Sequence, residues 1–461
     1  MFKRILIANR GEIAMRILRC CREMGIEGIV AYSKADEDSL PVQFSEEHVC
    51  IGPPQAGKSY LNENALLQAA KALKCDAIHP GYGFLSENAD FAEKCEANGI
   101  TFIGPTADMI RGMGDKQSAR SLMRSKGVPV VPGSDGLVGS AEEALKIAEE
   151  VGFPVLIKAS AGGGGRGMRT ANDASEIAAA FSEARAEALA AFGDGSLYLE
   201  KLIQNPHHIE FQILGDSKGN IVQLGERDCS LQRRKQKVLE ESPASCLDEK
   251  TRTAMGKAAI KAAKAVNYVS AGTVEFVLDH EGHFYFIEMN TRIQVEHPVT
   301  EMVTGIDLVR EQIRIAAGLK LSFKQSDIKL NGHAIECRIN AEDPKNDFRP
   351  CPGKVTFLHF PGGNGVRVES ALYPGAEISP FYDSMVGKII VHAPNRLEAI
   401  RRMRMALIET VVEGVTTNVD FLYLILFNPD FILGKIDTSF LDQNVDGFLK
   451  WQKDSEKKAD K

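Results

Sequence analysis

Apolar and polar residues alternate without a break between residues 287 and 296. The even positions are all polar and are Glu288, Asn290, Arg292, Gln294 and Glu296. Because successive side chains of an extended chain point to opposite faces, the pattern predicts a strand with these five groups on one face. That face carries two carboxylates, two amides and one guanidinium, without the Lys, Ser or Thr typical of a solvated face. This composition favours a functional face over an ordinary half-buried strand.

A second alternating segment, residues 273–278, precedes this strand, and Glu281 and Gly282 can form a two-residue turn between them. In the register of that hairpin Glu275 lies directly opposite Glu288. Like charges in such a pair destabilise a sheet unless something offsets them. Two carboxylates with Asn290 close by are oxygen ligands suited to Mg²⁺, so the hairpin predicts a metal site. The alternatives are a protonated Glu or one that faces solvent.

Between residues 4 and 110, buried apolar runs alternate with helical patterns. This order predicts a parallel, doubly wound α/β unit. The predicted strands are 5–8, 28–32, 77–79 and 101–104, and the predicted helices are 13–24, 63–73 and 88–98. The turn after the first strand, Asn9-Arg-Gly-Glu12, lacks the GxGxxG pattern, so a dinucleotide is not indicated.

Residues 52–59 match the phosphate-loop pattern GxxxxGK[ST]. A phosphate loop works by pointing consecutive backbone N–H groups at the anion. Pro53 and Pro54 have no N–H to offer. We therefore do not expect a phosphate loop here.

The next segment contains a glycine-rich stretch, residues 161–168, between a predicted strand (153–158) and a predicted helix (173–191). Four consecutive glycines are costly to order, which predicts a mobile loop whose amides close over phosphates, with Lys158 adding charge. A flexible linker is the alternative.

The basic run at residues 232–237 precedes the predicted metal-binding hairpin in the chain. This position favours an anion-binding site over a solvated loop.

The remaining segments predict strands within 207–227, helices at 249–266 and 305–318, and a strand-rich unit from about residue 332 that ends in a helix, 397–412.

The amino-acid composition limits the classes of protein to which the chain can belong. The chain has 461 residues, of which 44% are hydrophobic and 25% are charged, as in soluble globular proteins of several domains. The net charge of −7 argues against nucleic-acid binding. Nine cysteines without a CxxC pair, and no run long enough to span a membrane, predict a cytoplasmic protein.

The glycine-rich loop, the QRRxQK run at 232–237, the paired glutamates and the stretch EMNTRIQVEHPVTE at 288–301 together closely resemble biotin carboxylases. The resemblance extends from Lys3 to about residue 445 and is strongest to the free-standing subunit of bacterial acetyl-CoA carboxylase. It implies an α/β (α+β) protein with an ATP-grasp fold. The implied parts are a Rossmann-like N-terminal domain (1–114), an ATP-grasp domain (115–330) with a mobile lid at about 130–203, a C-terminal antiparallel-sheet domain (331–446) and a charged tail (447–461).

The resemblance also implies a role for individual residues. ATP contacts fall to Lys116, Lys158, Gly164, Gly165, Glu200, Lys201, Leu202, Ile203, His208 and Lys235. Metal contacts fall to Glu275, Glu288 and Asn290, and bicarbonate contacts to Lys237, Arg292, Gln294 and the backbone of Val295. The catalytic residues are Lys237, Arg292, the general base Glu296, and Arg338 against the ureido oxygen of biotin. Lys235 stands where many members of the family have His, which leaves the ribose contact at this position open.

The implied enzyme is an ATP-dependent ligase that forms a C–N bond. Glu296 deprotonates bicarbonate, which attacks ATP to give carboxyphosphate; phosphate then deprotonates biotin and Arg338 stabilises the enolate. Because Glu296 and Arg338 lie in different predicted domains, we expect their roles to be separable.

The resemblance implies Mg²⁺ or Mn²⁺, biotin on a separate carboxyl carrier protein, carboxyltransferase subunits as partners, and a homodimer. The reaction would be the first half of acetyl-CoA carboxylation in fatty acid synthesis. The alternatives are the biotin carboxylase subunit of another acyl-CoA or pyruvate carboxylase, a different ATP-grasp ligase, and a non-catalytic nucleotide-binding protein. The final acceptor depends on a separate transferase.

Overall fold

The computed structural model describes residues 1–160 and 167–459. The first region contains strands β1 Arg4–Ile7, β2 Glu27–Ser33, β3 His48–Gly52, β4 Ala77–His79 and β5 Thr101–Phe102, and helices α1 Gly11–Glu23, α2 Leu40–Phe44, α3 Glu63–Ala72, α4 Ala89–Ala97 and α5 Ala107–Gly114. The strands form a parallel sheet in the order β3-β2-β1-β4-β5. The central strand is buried on both faces, since Ile5, Leu6 and Ile7 are fully buried. This confirms the doubly wound α/β unit.

The second region is a small layer with its own apolar core. Its elements are α7 Ala141–Val151, β6 Val155–Ala159, β7 Met168–Ala171, α8 Ile177–Phe192 and β8 Leu197–Lys201. Helix α6 Lys116–Ser125 precedes it in the chain, and its buried residues Ala119 and Met123 belong to a different core. The strands form an antiparallel sheet in the order β7-β6-β8, against which α7 and α8 pack. Residues 161–166 of the predicted glycine loop, including Gly164 and Gly165, lie outside the described residues.

The rest of the chain is organised around one large antiparallel sheet. Its elements are β9 His207–Gly215, β10 Ile221–Arg233, β11 Gln236–Ser242, α9 Glu249–Ala265, β12 Ser270–Leu278, β13 Phe284–Asn290, α10 His297–Thr304, α11 Leu308–Ala316, β14 His333–Asn340, β15 Glu342–Asp343, β16 Arg349–Pro350, β17 Gly353–Lys354, β18 Phe357–His359, β19 Val366–Ser370, β20 Glu377–Ile378, β21 Met385–Ala393, α12 Arg396–Glu409, β22 Val411–Glu413, α13 Val419–Ile425, α14 Pro429–Ile432 and α15 Phe440–Ala459. The eight strands follow the order β13-β12-β9-β10-β11-β14-β21-β19.

This sheet crosses residue 331, where we expected one domain to end and the next to begin. β11 is hydrogen-bonded to β14, and Glu240 lies opposite Glu336 in that pair. The backbone ladder is therefore continuous across the predicted boundary. The last helix, α15, likewise crosses residue 446, where the charged tail was expected to begin. None of the helices in the described part of the chain combines the length and apolar composition needed to cross a bilayer.

The predicted hairpin of β12 and β13 forms, and Glu275 lies opposite Glu288 as expected. The predicted two-residue turn is wrong. The Asp279 N–H donates to the His283 carbonyl (2.9 Å), which closes a three-residue loop and shifts the pairs nearest the turn by one residue. One extra residue on β13, Ile287, forms a bulge between the shifted pairs and Glu288, and this restores the predicted glutamate pair.

The extended face predicted to reach residue 296 ends at Asn290. Residues 291–295 are irregular, and Glu296 is the N-cap residue of α10. β13 is the outermost strand of its sheet. The N–H of Thr291 donates to the Glu87 carboxylate (3.0 Å) instead of to a neighbouring strand, so the chain leaves the sheet at this point.

The phosphate-loop pattern at residues 52–59 forms a 3₁₀ turn after β3. The N–H of Lys58 donates to the Gln55 carbonyl (2.9 Å) and the N–H of Ser59 to the Ala56 carbonyl (3.1 Å). The amides are used within the turn, in agreement with the prediction that this segment does not cradle phosphate.

Candidate active site

One cavity of about 1050 Å³ lies where the parallel sheet, the small layer and the large sheet meet. Sixteen of the residues implied by the sequence line it: Lys116, Lys158, Glu200, Lys201, Leu202, Ile203, His208, Lys235, Lys237, Glu275, Glu288, Asn290, Arg292, Gln294, Val295 and Arg338. Glu296 is fully buried and contacts two of them. The large volume and the convergence of charged groups make this the candidate active site.

Three lysines meet at one end of the cavity. Lys116 is the first residue of α6, Lys158 lies on β6 and Lys235 lies in the turn between β10 and β11. The Lys116 Nζ is 2.9 Å from the Glu288 Oε2, and Lys158 pairs with Glu200. Burial and the neighbouring charges of Lys158 and Lys116 lower the pKa of Lys235. The three lysines therefore create a region of positive potential. A bound polyanion such as a triphosphate would offset the repulsion between them.

The stretch 200–203 joins the small layer to the large sheet. The Lys201 Nζ donates to the Phe153 carbonyl (2.5 Å), and the Leu202 N–H donates to the Pro154 carbonyl (3.0 Å). The Lys201 side chain and the Leu202 amide are therefore engaged inside the small layer. Any nucleotide contact from this stretch must come from its other groups, such as the backbone of Ile203 and the Glu200 carboxylate, which already pairs with Lys158.

Glu275 lies at the centre of a hydrogen-bonding network. Its Oε1 accepts from the Asn290 Nδ2 (2.7 Å) and lies 3.2 Å from the Lys237 Nζ, and its Oε2 is 3.0 Å from the His208 Nε2. Burial acts to raise the pKa of Glu275, but Lys237 and His208 outweigh it and hold the pKa well below its usual range. Together with Glu288 and the Asn290 amide it forms a set of hard oxygen donors, which fits Mg²⁺ or Mn²⁺.

Lys237 connects three buried carboxylates. Its Nζ lies 2.6 Å from the Glu210 Oε2, 2.6 Å from the Glu296 Oε1 and 3.2 Å from the Glu275 Oε1. Burial disfavours the ammonium ion, but the surrounding anionic groups hold the pKa of Lys237 well above its usual range. Lys237 is therefore a permanent positive charge in the middle of the cavity wall.

Glu296 lies between two cations. Its Oε2 accepts from the Arg338 Nη2 (2.9 Å), on the side opposite to its Lys237 contact. Burial acts to raise the pKa of Glu296, but Lys237, Arg338 and Arg227 hold it well below the usual value of a carboxyl group. Glu296 and Arg338 lie in different predicted domains, so neither is a local helix or strand partner of the other. They form an ion pair because β14, which carries Arg338, is part of the same sheet.

Arg292 is held by three side-chain acceptors and by the Ile293 carbonyl, which accepts from its Nη1 (3.3 Å). Its Nε donates to the Glu87 Oε2 (2.8 Å), its Nη1 to the Gln294 Oε1 (2.7 Å) and its Nη2 to the Asn290 Oδ1 (3.0 Å). Glu87 was not among the residues predicted from the sequence. It follows β4 at the carboxyl end of the parallel sheet, the edge at which α/β sheets place ligand sites, and that position was the available signal.

The backbone carbonyl of Val295 is already hydrogen-bonded. It accepts from the Nζ of Lys388 (2.7 Å), a fully buried residue that also lies 3.0 Å from the Glu12 Oε1. Val295 can therefore offer an anion only its N–H. A backbone donor at this position agrees with the implied bicarbonate contact.

Two further buried carboxylates support the site and were missed. Glu210 accepts from the Arg227 Nε (2.6 Å) besides pairing with Lys237, and Glu240 accepts from the Arg338 Nε (2.6 Å). Burial, helped by the charge of Glu296, raises the pKa of Glu240 to about 7 against the effect of Arg338. Polar and apolar residues alternate from 208 to 212, as they do at 287–296, and this was the signal for Glu210.

Three family models match the chain. They are "Biotin carboxylase, N-terminal domain" over residues 1–110, "Carbamoyl-phosphate synthase L chain, ATP binding domain" over residues 115–324, and "Biotin carboxylase C-terminal domain" over residues 336–443. A biotin carboxylase of Nostoc sp. is 56% identical over 442 residues, which are 96% of this chain and 99% of that protein.

Two solved structures are similar over almost the whole chain. A biotin carboxylase–β,γ-ATP complex from Campylobacter jejuni is 52% identical, with a TM-score of 0.92, and the match covers 96% of this chain and 99% of that one. The dimeric biotin carboxylase domain of the Hydrogenobacter thermophilus 2-oxoglutarate carboxylase, in complex with MgADP, ADP and bicarbonate, is 50% identical. Its TM-score is 0.91, and the match covers 97% of this chain and 99% of that one.

Proposed function

The chain belongs to the biotin carboxylase family, and from that membership we propose that it uses ATP and bicarbonate to carboxylate biotin carried on a separate protein. The observation that carries the proposal is the position of Glu296 between the Lys237 ammonium and the Arg338 guanidinium, which both line a cavity whose other end is lined by lysines. A base, an anion site and a site for triphosphate are the three requirements of bicarbonate activation.

In the first half-reaction, bicarbonate binds to Lys237, Arg292, Gln294 and the N–H of Val295. Bicarbonate competes with Glu296 for the Lys237 ammonium, and this raises the pKa of Glu296 towards that of a working base. Glu296 then takes the bicarbonate proton. The freed oxygen attacks the γ-phosphorus of ATP, the bond to ADP breaks, and carboxyphosphate forms.

The nucleotide is held by Lys116, Lys158, His208, Lys235 and residues 200–203. Lys116 and Lys158 stabilise the charge that develops on the transferring phosphoryl group, since both are fixed beside carboxylates at the cavity wall. Glu275, Glu288 and Asn290 would hold Mg²⁺ or Mn²⁺, which supplies further neutralisation of phosphate charge when bound.

In the second half-reaction, carboxyphosphate breaks down to CO₂ and phosphate, and the phosphate deprotonates the biotin nitrogen. That nitrogen then attacks CO₂, which forms the C–N bond of carboxybiotin. Arg338 stabilises the negative ureido oxygen, because a guanidinium stays charged and presents its donors in a fixed plane. Glu240 holds the Arg338 Nε and orients it. The contact of Arg338 with Glu296 places the base and the oxyanion site side by side.

The acceptor of the carboxyl group is proposed as acetyl-CoA, through a biotin carboxyl carrier protein and a carboxyltransferase partner. A similar structure belongs to a 2-oxoglutarate carboxylase, so pairing with a different transferase is the second candidate. The dimer in that structure supports a homodimer here. All nine cysteines are free thiols, which supports a reducing compartment such as the cytoplasm.

The test is ATP cleavage by the purified full chain with and without bicarbonate and free biotin, alongside carboxybiotin formation from labelled bicarbonate. We expect ATP cleavage to require bicarbonate and to rise with biotin. The Glu296→Gln variant serves as the control that should lose both activities. ATP cleavage that needs an amine or carboxylate acceptor instead of bicarbonate would assign the chain to another ATP-grasp ligase. Reconstitution with carrier and candidate transferases then identifies the acceptor.

A further inference from the structure

A cluster of three different donor side chains lies outside the active-site cavity. His207 is the first residue of β9, Asp228 lies on β10, and Cys246 follows β11 in the loop before α9. One His207 ring nitrogen, one Asp228 carboxylate oxygen and the Cys246 Sγ all lie within 4.8 Å of one another. His208 lines the cavity, and its neighbour His207 projects from the other face of the strand.

The Asp228 carboxylate is held in a fixed orientation. Its Oδ1 accepts from the N–H of Ser230 (3.0 Å) and from the Ser230 hydroxyl. Its Oδ2 faces the Cys246 Sγ at 3.7 Å, and Asp228 is only 2% exposed. A carboxylate whose second oxygen is fixed by hydrogen bonds is the usual arrangement around a bound metal ion.

His207 contributes an unsatisfied buried atom. Its Nδ1 is shielded from solvent and has no hydrogen-bond partner within residues 1–160 and 167–459. The ring packs edge-to-face against His280, with 6.2 Å between the ring centres. Buried polar atoms are normally paired, so this ring nitrogen needs an explanation that the proposed reaction does not provide.

We propose that His207, Asp228 and Cys246 form a binding site for a zinc-type divalent cation. Nitrogen, oxygen and thiolate donors are the set that Zn²⁺ prefers, whereas Mg²⁺ prefers oxygen ligands alone. Tetrahedral Zn²⁺ with ordinary bond lengths sets sulfur and carboxylate ligands about 3.6 Å apart. The observed Sγ–Oδ2 distance of 3.7 Å matches this spacing, so an ion enters with little rearrangement of Asp228 and Cys246.

Binding exchanges a proton for the ion. The Cys246 thiol donates its hydrogen to Asp228, and the cation displaces this hydrogen to solvent as the thiolate bonds to the metal. Three protein donors leave the fourth tetrahedral position to water. The ion ties the start of β9 and the strand β10 to the loop before α9, directly behind the cavity wall that carries His208. The site stabilises this part of the fold and takes no part in the chemistry.

The experiment uses Co²⁺ as a spectroscopic probe for Zn²⁺ on the metal-stripped full chain, with Mg²⁺ in large excess to occupy oxygen-donor sites. We expect a thiolate-to-cobalt charge-transfer band that saturates at one ion per chain and disappears on addition of Zn²⁺. Cys246→Ser should abolish the band, and His207→Gln should weaken Co²⁺ binding at least tenfold. The matched control is Cys50→Ser, which removes an exposed cysteine and should leave the band unchanged.

The proposal is overturned if wild type gives no such band, or if Cys246→Ser retains it. A second measurement covers the case of a variant that folds poorly. Zn²⁺ should raise the melting temperature of wild type and of Cys50→Ser but not of Cys246→Ser, while all three keep bicarbonate-dependent ATP cleavage. An equal rise in Cys246→Ser would also overturn the proposal.

Discussion

Arg338→Ala should separate the two half-reactions. The variant removes the hydrogen bonds of Arg338 to Glu240 (2.6 Å) and to Glu296 (2.9 Å) and removes the guanidinium from the ureido-oxygen site. Lys237 lowers the pKa of Glu296 more than Arg338 does, and Glu296 keeps its 2.6 Å contact with Lys237 and stays ionised. Bicarbonate-dependent ATP cleavage should therefore fall less than about tenfold. Loss of a donor at a site of developing charge costs about 3–4 kcal/mol, so carboxybiotin formation should fall about 100- to 1000-fold.

The assay measures phosphate release without biotin and carboxybiotin formation from labelled bicarbonate in the same preparation. Glu296→Gln is the comparison, since it should lose both activities together. The removal of a cation also raises the pKa of Glu296, so the acid limb of ATP cleavage should move to higher pH in Arg338→Ala. A parallel loss of both activities in Arg338→Ala would refute the reasoning and make Arg338 a bicarbonate ligand or a structural residue.

Four further variants, used in three experiments, test other parts of the structure. Lys58→Ala should leave ATP affinity unchanged in calorimetry while Lys158→Ala weakens it at least tenfold, and the opposite order would restore residues 52–59 as a phosphate loop. Glu87→Gln loosens Arg292 and should raise the KM for bicarbonate about 5- to 30-fold, since a hydrogen bond to a charged group is worth about 1.5–3 kcal/mol and Glu87 is partly exposed; a changed KM for ATP alone would contradict this role. Arg396→Ala breaks a buried pair and should cost about 3–5 kcal/mol in urea unfolding at neutral pH. Burial acts to raise the pKa of Glu241, but His333 and Arg396 outweigh it and lower the pKa to about 2. This cost should therefore be complete above pH 4.5 and shrink as pH falls towards 2, and a cost independent of pH would speak against the assignment.

The glutamate pair of the hairpin could be predicted because alternation fixes which residues share a face. The turn could not, because its loop is closed by a side chain. The Asp279 Oδ1 accepts from the N–H groups of Glu281 (2.9 Å) and His283 (2.8 Å), which favours a three-residue loop over the two-residue turn. The bulge then compensates for the shift. Periodicity carries no information about such local hydrogen bonds.

The predicted end of β13 was wrong for a different reason. The chain leaves the sheet at Thr291 because Glu87, 204 residues earlier, accepts its N–H. Nothing near residue 291 encodes that contact.

The same limit applies to the site as a whole. The residues named from motifs line the cavity, whereas Glu87, Glu210 and Glu240, which orient them, act through tertiary contacts between distant segments.

The pairing of β11 with β14 has a consequence for any attempt to divide the chain. Lys237 and Glu240 lie on β11, and Arg338 lies on the adjacent strand β14. Backbone hydrogen bonds therefore set the distance between the bicarbonate contact at Lys237 and the biotin contact at Arg338, and no hinge can alter it. A fragment that stops at residue 330 would leave β11 as an exposed edge strand. Its backbone amides would be unpaired, and carboxylates that are buried in the full chain would be uncovered. Such an edge recruits strands from other molecules. The excised nucleotide-binding portion should therefore aggregate instead of surviving as a smaller ATPase.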